Sequence, residues 1–261
     1  MKPEKKESEM SERNTLEEIL KQVREIGGIS KAFLDYDGTL VNITTDPDLA
    51  IPDDGIKKIV RQIGTFIPTY IVTGRALDDL LKLIGPGFNI IAMHGAQFCD
   101  GDGKRRSIDG FDKFVLRSKE IASRYSYLST LFSGLSIKDK GGGVMFHYYH
   151  VSSKKIRDLK RAISSIREEG FEMYSGKYIF ELRIKGINKG MAVENEMKKG
   201  DAVLFAGDDA TDEEAFEMLR EQITIKVGDG DTRARFRLGS PSDMRQFLSR
   251  ILEERLFRVN A

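Results

Sequence analysis

Residues 33–40 read FLDYDGTL: an apolar run that ends on Asp35, a second aspartate at Asp37, and a glycine directly after it. On a strand, residues i and i+2 point to the same face, so the two carboxylates are expected to project together from the strand end. Like charges that close repel and raise each other's pKa. The pair is tolerable where a cation sits between them, and the rest of the chain can be searched for what that cation serves.

Working outward, short apolar runs alternate with helical patterns. KAFLDY (31–36), TYIVTG (69–74), FNIIAMHG (88–95), AVLFAGDD (202–209) and ITIKVGDG (223–230) read as strands. DDGIKKIVRQI (53–63), ALDDLLKLI (76–84) and TDEEAFEMLR (211–220) read as helices. Runs apolar on both faces and separated by helices indicate an α/β fold with a parallel sheet covered on both sides. In such sheets ligands bind beyond the C-terminal strand ends, and Asp35, Thr73, His94 and Asp208 all stand there. Residues 101–185 break the rhythm. GGGVMFHYYHV (141–151) and YIFELRIK (178–185) read as strands on either side of a long helix, SSKKIRDLKRAISSI (152–166). That pattern predicts an α+β module inserted into a core of residues 31–100 and 186–261, with GDGKRR (101–106) and IKGINKG (184–190) as hinges. Residues 1–30 are expected to hold a disordered tail over 1–14 and then a short amphipathic helix. Leu16, Ile19, Leu20 and Val23 give its spacing, Thr15 its cap and Gly27 its end.

Composition narrows the classes. The polar N-terminus, MKPEKKESEMSERN, has no apolar centre, and no run approaches the ~20 apolar residues of a membrane span. A lone cysteine, Cys99, has no internal disulfide partner and reads as a packing residue in a reducing cytoplasm. Residues 101–185 carry 18 Lys+Arg against 10 Asp+Glu, and the remainder carries 24 against 31. Such a split suits a basic piece that helps hold an anion and an acidic piece that helps hold a metal. Charge runs of this kind are also ordinary solvated helix faces. No aromatic-basic interleaving or zinc spacing points to nucleic acid. A monomer is the expected state.

Four pieces call for a common account: DYDGT, the VTGR of Thr73–Arg75, Lys189 in NKG, and GDDATDE, which sets four carboxylates in six positions. Singly, each has a plain reading as a strand-end turn, a solvated lysine, or an acidic helix N-cap favoured by the helix dipole. A calcium loop is a further reading of GDDATDE, though the EF-hand spacing is missing. Together they match the needs of phosphoryl transfer: charge neutralisation, in-line attack and a protonated leaving oxygen. Asp35 can attack phosphorus. Mg2+ would take oxygen ligands from Asp35, the Asp37 backbone carbonyl and Asp208. The Asp37 side chain can serve as acid and then base, Gly38 permits a tight turn, and Thr73 and Lys189 can hold phosphoryl oxygens.

These four motifs resemble those of the haloacid dehalogenase superfamily of phosphohydrolases. The GDDxTDE form, HG after the third strand and a large cap between the second and third motifs are similar to trehalose-6-phosphate phosphatases. The resemblance runs from about Lys31 to Gly239. It implies a Rossmann-like parallel-sheet core with an inserted α+β cap domain, and Mg2+ dependence. It also implies a nucleophile at Asp35, an acid/base at Asp37, phosphate ligands at Thr73 and Lys189, and metal binding by Asp208. Asp212 would bind metal water or orient Lys189. Lys140 and His147 in DKGGGVMFHYYH, and Glu181 and Arg183 in ELR, match cap positions that would grip a phosphorylated sugar. Tyr149 stands where the family commonly has arginine. Gly74, Arg75, His94 and Gly95 are further candidates for substrate contact, with Thr39, Asp209 and Glu213 in support. Plain readings compete here: His147 as a satisfied sheet histidine, His94 as a chain-turning residue, Glu181 and Arg183 as an ion pair. Phe146, Tyr148 and Tyr149 read as core rather than as a platform for sugar. The alternatives are phosphatases of sucrose phosphate or mannosyl-3-phosphoglycerate, a phosphosugar mutase, and a non-enzymatic phosphosugar-binding regulator.

Overall fold

Alternation along β1 (Lys31–Asp35) decides which helices end up beside the site. The structure, a computed structural model, describes residues 15–44, 46–176 and 178–258; the expected tail over 1–14 lies outside them. Every residue of β1 is buried. Ala32 and Leu34 join a layer built from α1 (15–25), α2 (Asp54–Gly64), α3 (Leu77–Ile84) and α9 (Pro241–Glu253). Phe33 points the other way, into a layer with Val193 of α7 (Lys189–Glu196) and Phe216 of α8 (Ala210–Met218). Asp35 follows Phe33 at period two, so its carboxylate leaves the strand toward the N-termini of α7 and α8. The sequence thereby aims the first aspartate at Lys189 and Asp212.

The large sheet has eight strands in the order β12-β11-β10-β1-β2-β3-β4-β5. Around β1 lie β2 (Thr69–Val72), β3 (Asn89–Ala92), β10 (Val203–Gly207), β11 (Ile223–Val227) and β12 (Phe236–Leu238), all parallel. Phe33 sits opposite both Tyr70 and Phe205 in register, and stacks on the Tyr70 ring at 4.9 Å. β4 (Gln97–Cys99) and β5 (Arg105–Ser107) extend the sheet antiparallel. β5 therefore still belongs to the large sheet, although the change of rhythm in the sequence begins at 101. The helix expected after the tail is present as α1. Its Ile19, Leu20 and Val23 are fully buried, and Arg24 pairs with Glu254 beyond α9 at 2.7 Å.

The second sheet is antiparallel, in the order β6-β7-β9-β8: β6 (Ser136–Asp139), β7 (Val144–His147), β9 (Ile179–Ile184) and β8 (Phe171–Gly176). One face carries Val144, Phe146, Phe180 and Leu182 against α4 (Phe111–Tyr125), α5 (Tyr127–Leu131) and α6 (Ser153–Ser164). Met145, opposite Glu181, and His147, opposite Ile179, belong to the other face. That polar face meets the large sheet at its carboxyl end.

Candidate active site

β1 stops at Asp35, and Asp37 sits in a turn bridged to Val41. The two aspartates therefore do not project together from a strand, as the sequence suggests; each finds its own cation. Lys189 Nζ donates to Asp35 Oδ1 at 2.7 Å. Arg75 grips Asp37 through two bonds, Nε to Oδ2 and Nη2 to Oδ1, both 2.7 Å. Arg75, expected to touch substrate, is thus engaged with the candidate acid. Gly38, directly after Asp37, has φ 76°, and a Cβ there would lie 2.0 Å from Asp208 Oδ2. Only glycine lets Asp208 come down onto this turn.

Lys189, at the first position of α7, also donates to Asp212 Oδ1 at 2.8 Å. The other Asp212 oxygen accepts the backbone N–H groups of Asp208 at 3.0 Å and Asp209 at 3.1 Å. With both oxygens engaged by protein donors, Asp212 is built to orient Lys189 and the loop. Asp209 caps α8, accepting from the Thr211 N–H at 2.8 Å and hydroxyl at 2.6 Å. Glu213 accepts from the Arg233 N–H at 2.7 Å. Thr73 follows β2 and is buried. Its oxygen accepts the Arg75 N–H at 3.1 Å, which leaves its hydroxyl proton to donate.

The electrostatics are lopsided. Burial pushes the Asp35 carboxyl well above the usual range, partly offset by Lys189 and reinforced by Asp212 and Asp208. Burial with Asp209 and Asp212 pushes Asp208 to about 8, and burial opposed by Lys189 leaves Asp212 at about 6. Burial alone would lower Lys189, but Asp212 and Asp35 outweigh it and hold it well above its usual value. Oxygens of Asp35, Asp208 and Asp212 lie within 4.8 Å of one another, and Asp35 Oδ2 is buried without a partner. An all-oxygen set with an orphaned anionic atom fits a hard divalent cation, drawn from Asp35, Asp208 and the adjacent turn.

The second sheet supplies a polar row above this point. Lys140 Nζ reaches across to the Gly74 carbonyl at 2.6 Å and also to Glu181. Glu181 Oε2 faces His94 Nε2 at 3.4 Å. Burial opposes ionisation of Glu181, yet Lys140 and His94 hold its carboxyl well below the usual range. Burial pushes His94 down. His94 has the left-handed backbone φ 58°, ψ 14°, and a Cβ at Gly74 would strike its ring at 2.5 Å. Gly95 lies against Ala192 of α7. Glu181 and Arg183 are not partners of each other: Arg183 bonds Glu214 of α8 at 2.6 Å and Glu172 at 3.0 Å. His147 sits two positions beyond Met145, outside the Lys140–Glu181–His94 group. Among the described residues, the buried side-chain atoms without partners belong to Asp35, Thr39, His94, Arg183, Glu213 and Glu214. All except Glu214 are legible in the sequence as site candidates.

Lys226 and Tyr174 escape the sequence reading. Lys226 is buried at the end of β11 and donates to the Asp208 carbonyl; a lysine inside an otherwise apolar strand is the signal for it. Tyr174 lies opposite Glu181 in register, and burial and then Asp209 push its hydroxyl up.

The trehalose-phosphatase family model matches residues 33–242. A trehalose-6-phosphate phosphatase-related protein of Thermoplasma acidophilum is 36% identical over 223 residues, 83% of this chain and 94% of that one. The crystal structure of a trehalose-6-phosphate phosphatase related protein superposes with TM-score 0.79 at 35% identity, over 87% of this chain and 99% of that one. The trehalose-phosphate phosphatase of Mycobacterium avium is 28% identical over 241 residues, and this chain spans 85% of itself but 62% of that protein's length. The match encloses every motif gathered at the sheet end, and the chain belongs to the trehalose-phosphatase family of phosphoric monoester hydrolases.

Proposed function

We propose that the chain hydrolyses trehalose 6-phosphate to trehalose and inorganic phosphate, with Mg2+ as the cation and Asp35 as the carrier of the phosphoryl group. The observation that carries this reading is the state of Asp35: buried, one oxygen fixed by Lys189, the other without a partner. One carboxylate oxygen of Asp35 attacks phosphorus while the other would stay with the cation, the bond from phosphorus to the sugar oxygen breaks, and that oxygen takes a proton from Asp37. Asp37 then removes a proton from water, whose oxygen attacks phosphorus and frees the Asp35 carboxylate. The Thr73 hydroxyl and the Lys189 ammonium group offset charge on the equatorial oxygens. Asp37 leaves the Arg75 fork to do this; its side chain is 38% exposed against 13% for Arg75, so it is the partner free to swing. Asp35, the Asp37 carbonyl and Asp208 would hold Mg2+, whose charge lets a carboxylate and a phosphate approach each other. Lys140, Glu181 and Arg183, with His147 farther along, face the sugar from a cap that starts after β5 and runs to about 185, and that closes over it. The names of the relatives supply the disaccharide.

A substrate panel tests the reading. Phosphate release from trehalose 6-phosphate, sucrose phosphate, mannosyl-3-phosphoglycerate and glucose 6-phosphate is ranked by kcat/KM, with EDTA as control. Trehalose 6-phosphate should rank first and EDTA should abolish release. A higher rank for another disaccharide phosphate would move the substrate and keep the chemistry.

Thermal melts test the cation. Asp35, Asp208 and Asp212 all have folded pKa values above the unfolded value of about 3.9. The folded chain therefore binds more protons than the unfolded one. Their contribution to stability is complete below pH 4 and is lost as pH rises through about 6 and about 8. Bound Mg2+ cancels that loss, so it should raise Tm clearly more at pH 8 than at pH 5.5. An equal shift at both values would count against a cation among these carboxylates.

A further inference from the structure

The polar face of the second sheet does not end at Glu181. β7 starts beside the large sheet, where a Cβ at Gly143 would meet Met93 at 3.4 Å, and runs outward through Met145, opposite Glu181, to His147. Burial alternates along Val144–Tyr148; β7 ends at His147, and Tyr149 stands in the turn that follows, closed by the Val151 N–H on the Tyr148 carbonyl at 3.1 Å. The neighbouring aromatics behave as core, Phe146 at 0% and Tyr148 at 4% exposed, but Tyr149 is 44% exposed. Its ring lies over His147 at 6.4 Å, 28° from parallel, and meets Tyr178 edge-on at 5.1 Å.

Tyr178 is the second anomaly. It occupies the turn between β8 and β9 with φ 61°, where glycine or asparagine is the residue of choice. A bulky side chain in the left-handed region is rare and needs a reason. Its ring is 41% exposed, so packing into the core is not that reason. Its contacts are aromatic, with Tyr149 and with Tyr148 at 6.0 Å.

We propose that Tyr149 and Tyr178 form a stacking platform for the distal ring of a two-ring sugar phosphate, and so set the preference for disaccharide over monosaccharide substrates. The inference rests on the phosphosugar reading above. The phosphorylated ring is held by the rows that touch the large sheet, Arg183 and Glu181. A second ring extends along β7 toward Tyr149, where the apolar C–H face of a pyranose meets an aromatic face. Two rigid tyrosines offer that area at little entropic cost.

The test compares trehalose 6-phosphate with glucose 6-phosphate in the wild type, Tyr149→Ala, Tyr178→Gly and the double variant. Tyr178→Gly removes the ring and suits the left-handed turn, so its Tm should hold or rise. The ratio of kcat/KM for disaccharide over monosaccharide should fall roughly tenfold in the double variant, through KM rather than kcat. Equal losses on both substrates, or an unchanged ratio, would overturn the platform while leaving the phosphatase reading in place. A wild type that turns over glucose 6-phosphate and no disaccharide phosphate would remove the substrate reading and the platform together.

Discussion

Asp35→Asn is expected to abolish phosphate release, by on the order of 10⁴-fold or more, while making the metal-free protein more stable. The two effects share one cause. Asp35 sits at the end of a fully buried strand, where burial, Asp212 and Asp208 all oppose its charge and Lys189 alone favours it. Asparagine keeps the shape and still accepts from Lys189, but it carries no charge to desolvate. Above about pH 4 the folded state therefore loses a penalty that the unfolded state never had, and Tm without metal should rise by a few degrees. The same change removes the attacking oxygen and one anionic cation ligand, so the Mg2+-induced Tm shift should shrink. Phosphate release persisting above a thousandth of the wild-type rate would end the assignment of Asp35 as nucleophile. A fall in metal-free Tm would show that Lys189 needs that charge more than the fold resents it. Stability traded for a strained functional group is the usual pattern at active sites.

How far the sequence discloses this arrangement depends on the range of the forces involved. The parallel strands are legible because FLD, YIV, NIIA and VLFAG are apolar on both faces, a pattern with few competing readings. The site is legible in part because polar residues at strand ends have no packing reason to be there. What escapes is partnership. Nothing in local spacing tells that Arg75 would fork onto Asp37, 38 residues earlier, or that Glu181 would turn to Lys140 and His94 rather than to Arg183. Those choices follow from the register of β7 on β9 and from the approach of one sheet to the other. Elements whose reason is tertiary were also hidden. β4 and β5 extend the large sheet with only three residues each, below the length at which alternation can be recognised. Tyr149 reads as core in a run of aromatics because exposure cannot be told from type when every neighbour is aromatic. The backbone turn at Tyr178 carries none of the glycine or asparagine that would announce it.

Lys189→Met should cost both activity and stability, and a second substitution should restore only the latter. Lys189 is almost completely buried and touches Asp35 at 2.7 Å and Asp212 at 2.8 Å. Methionine fills a similar volume but leaves two carboxylates facing each other in a dry site. Stranding buried charge in this way costs about 3–5 kcal/mol, visible as a lowered denaturation midpoint with an unchanged m-value. The loss in kcat should be on the order of 10²–10³-fold, the scale for removing one preorganised donor from a developing oxyanion. Adding Asp212→Asn removes one of the stranded charges, so most of the stability should return. Activity should not, because the ammonium group that meets the phosphoryl oxygens is still absent. Non-additivity in stability with none in kcat would separate the two roles of one side chain. Lys189→Arg sharpens the comparison: it keeps the charge, but a planar fork does not fit between two fixed single oxygens, so it should recover part of the stability and little of the rate. If Lys189→Met/Asp212→Asn regained activity along with stability, Lys189 would be a structural counter-ion only, and the charge on the phosphoryl group would have to be met elsewhere, with Lys226 beneath Asp208 the next residue to test.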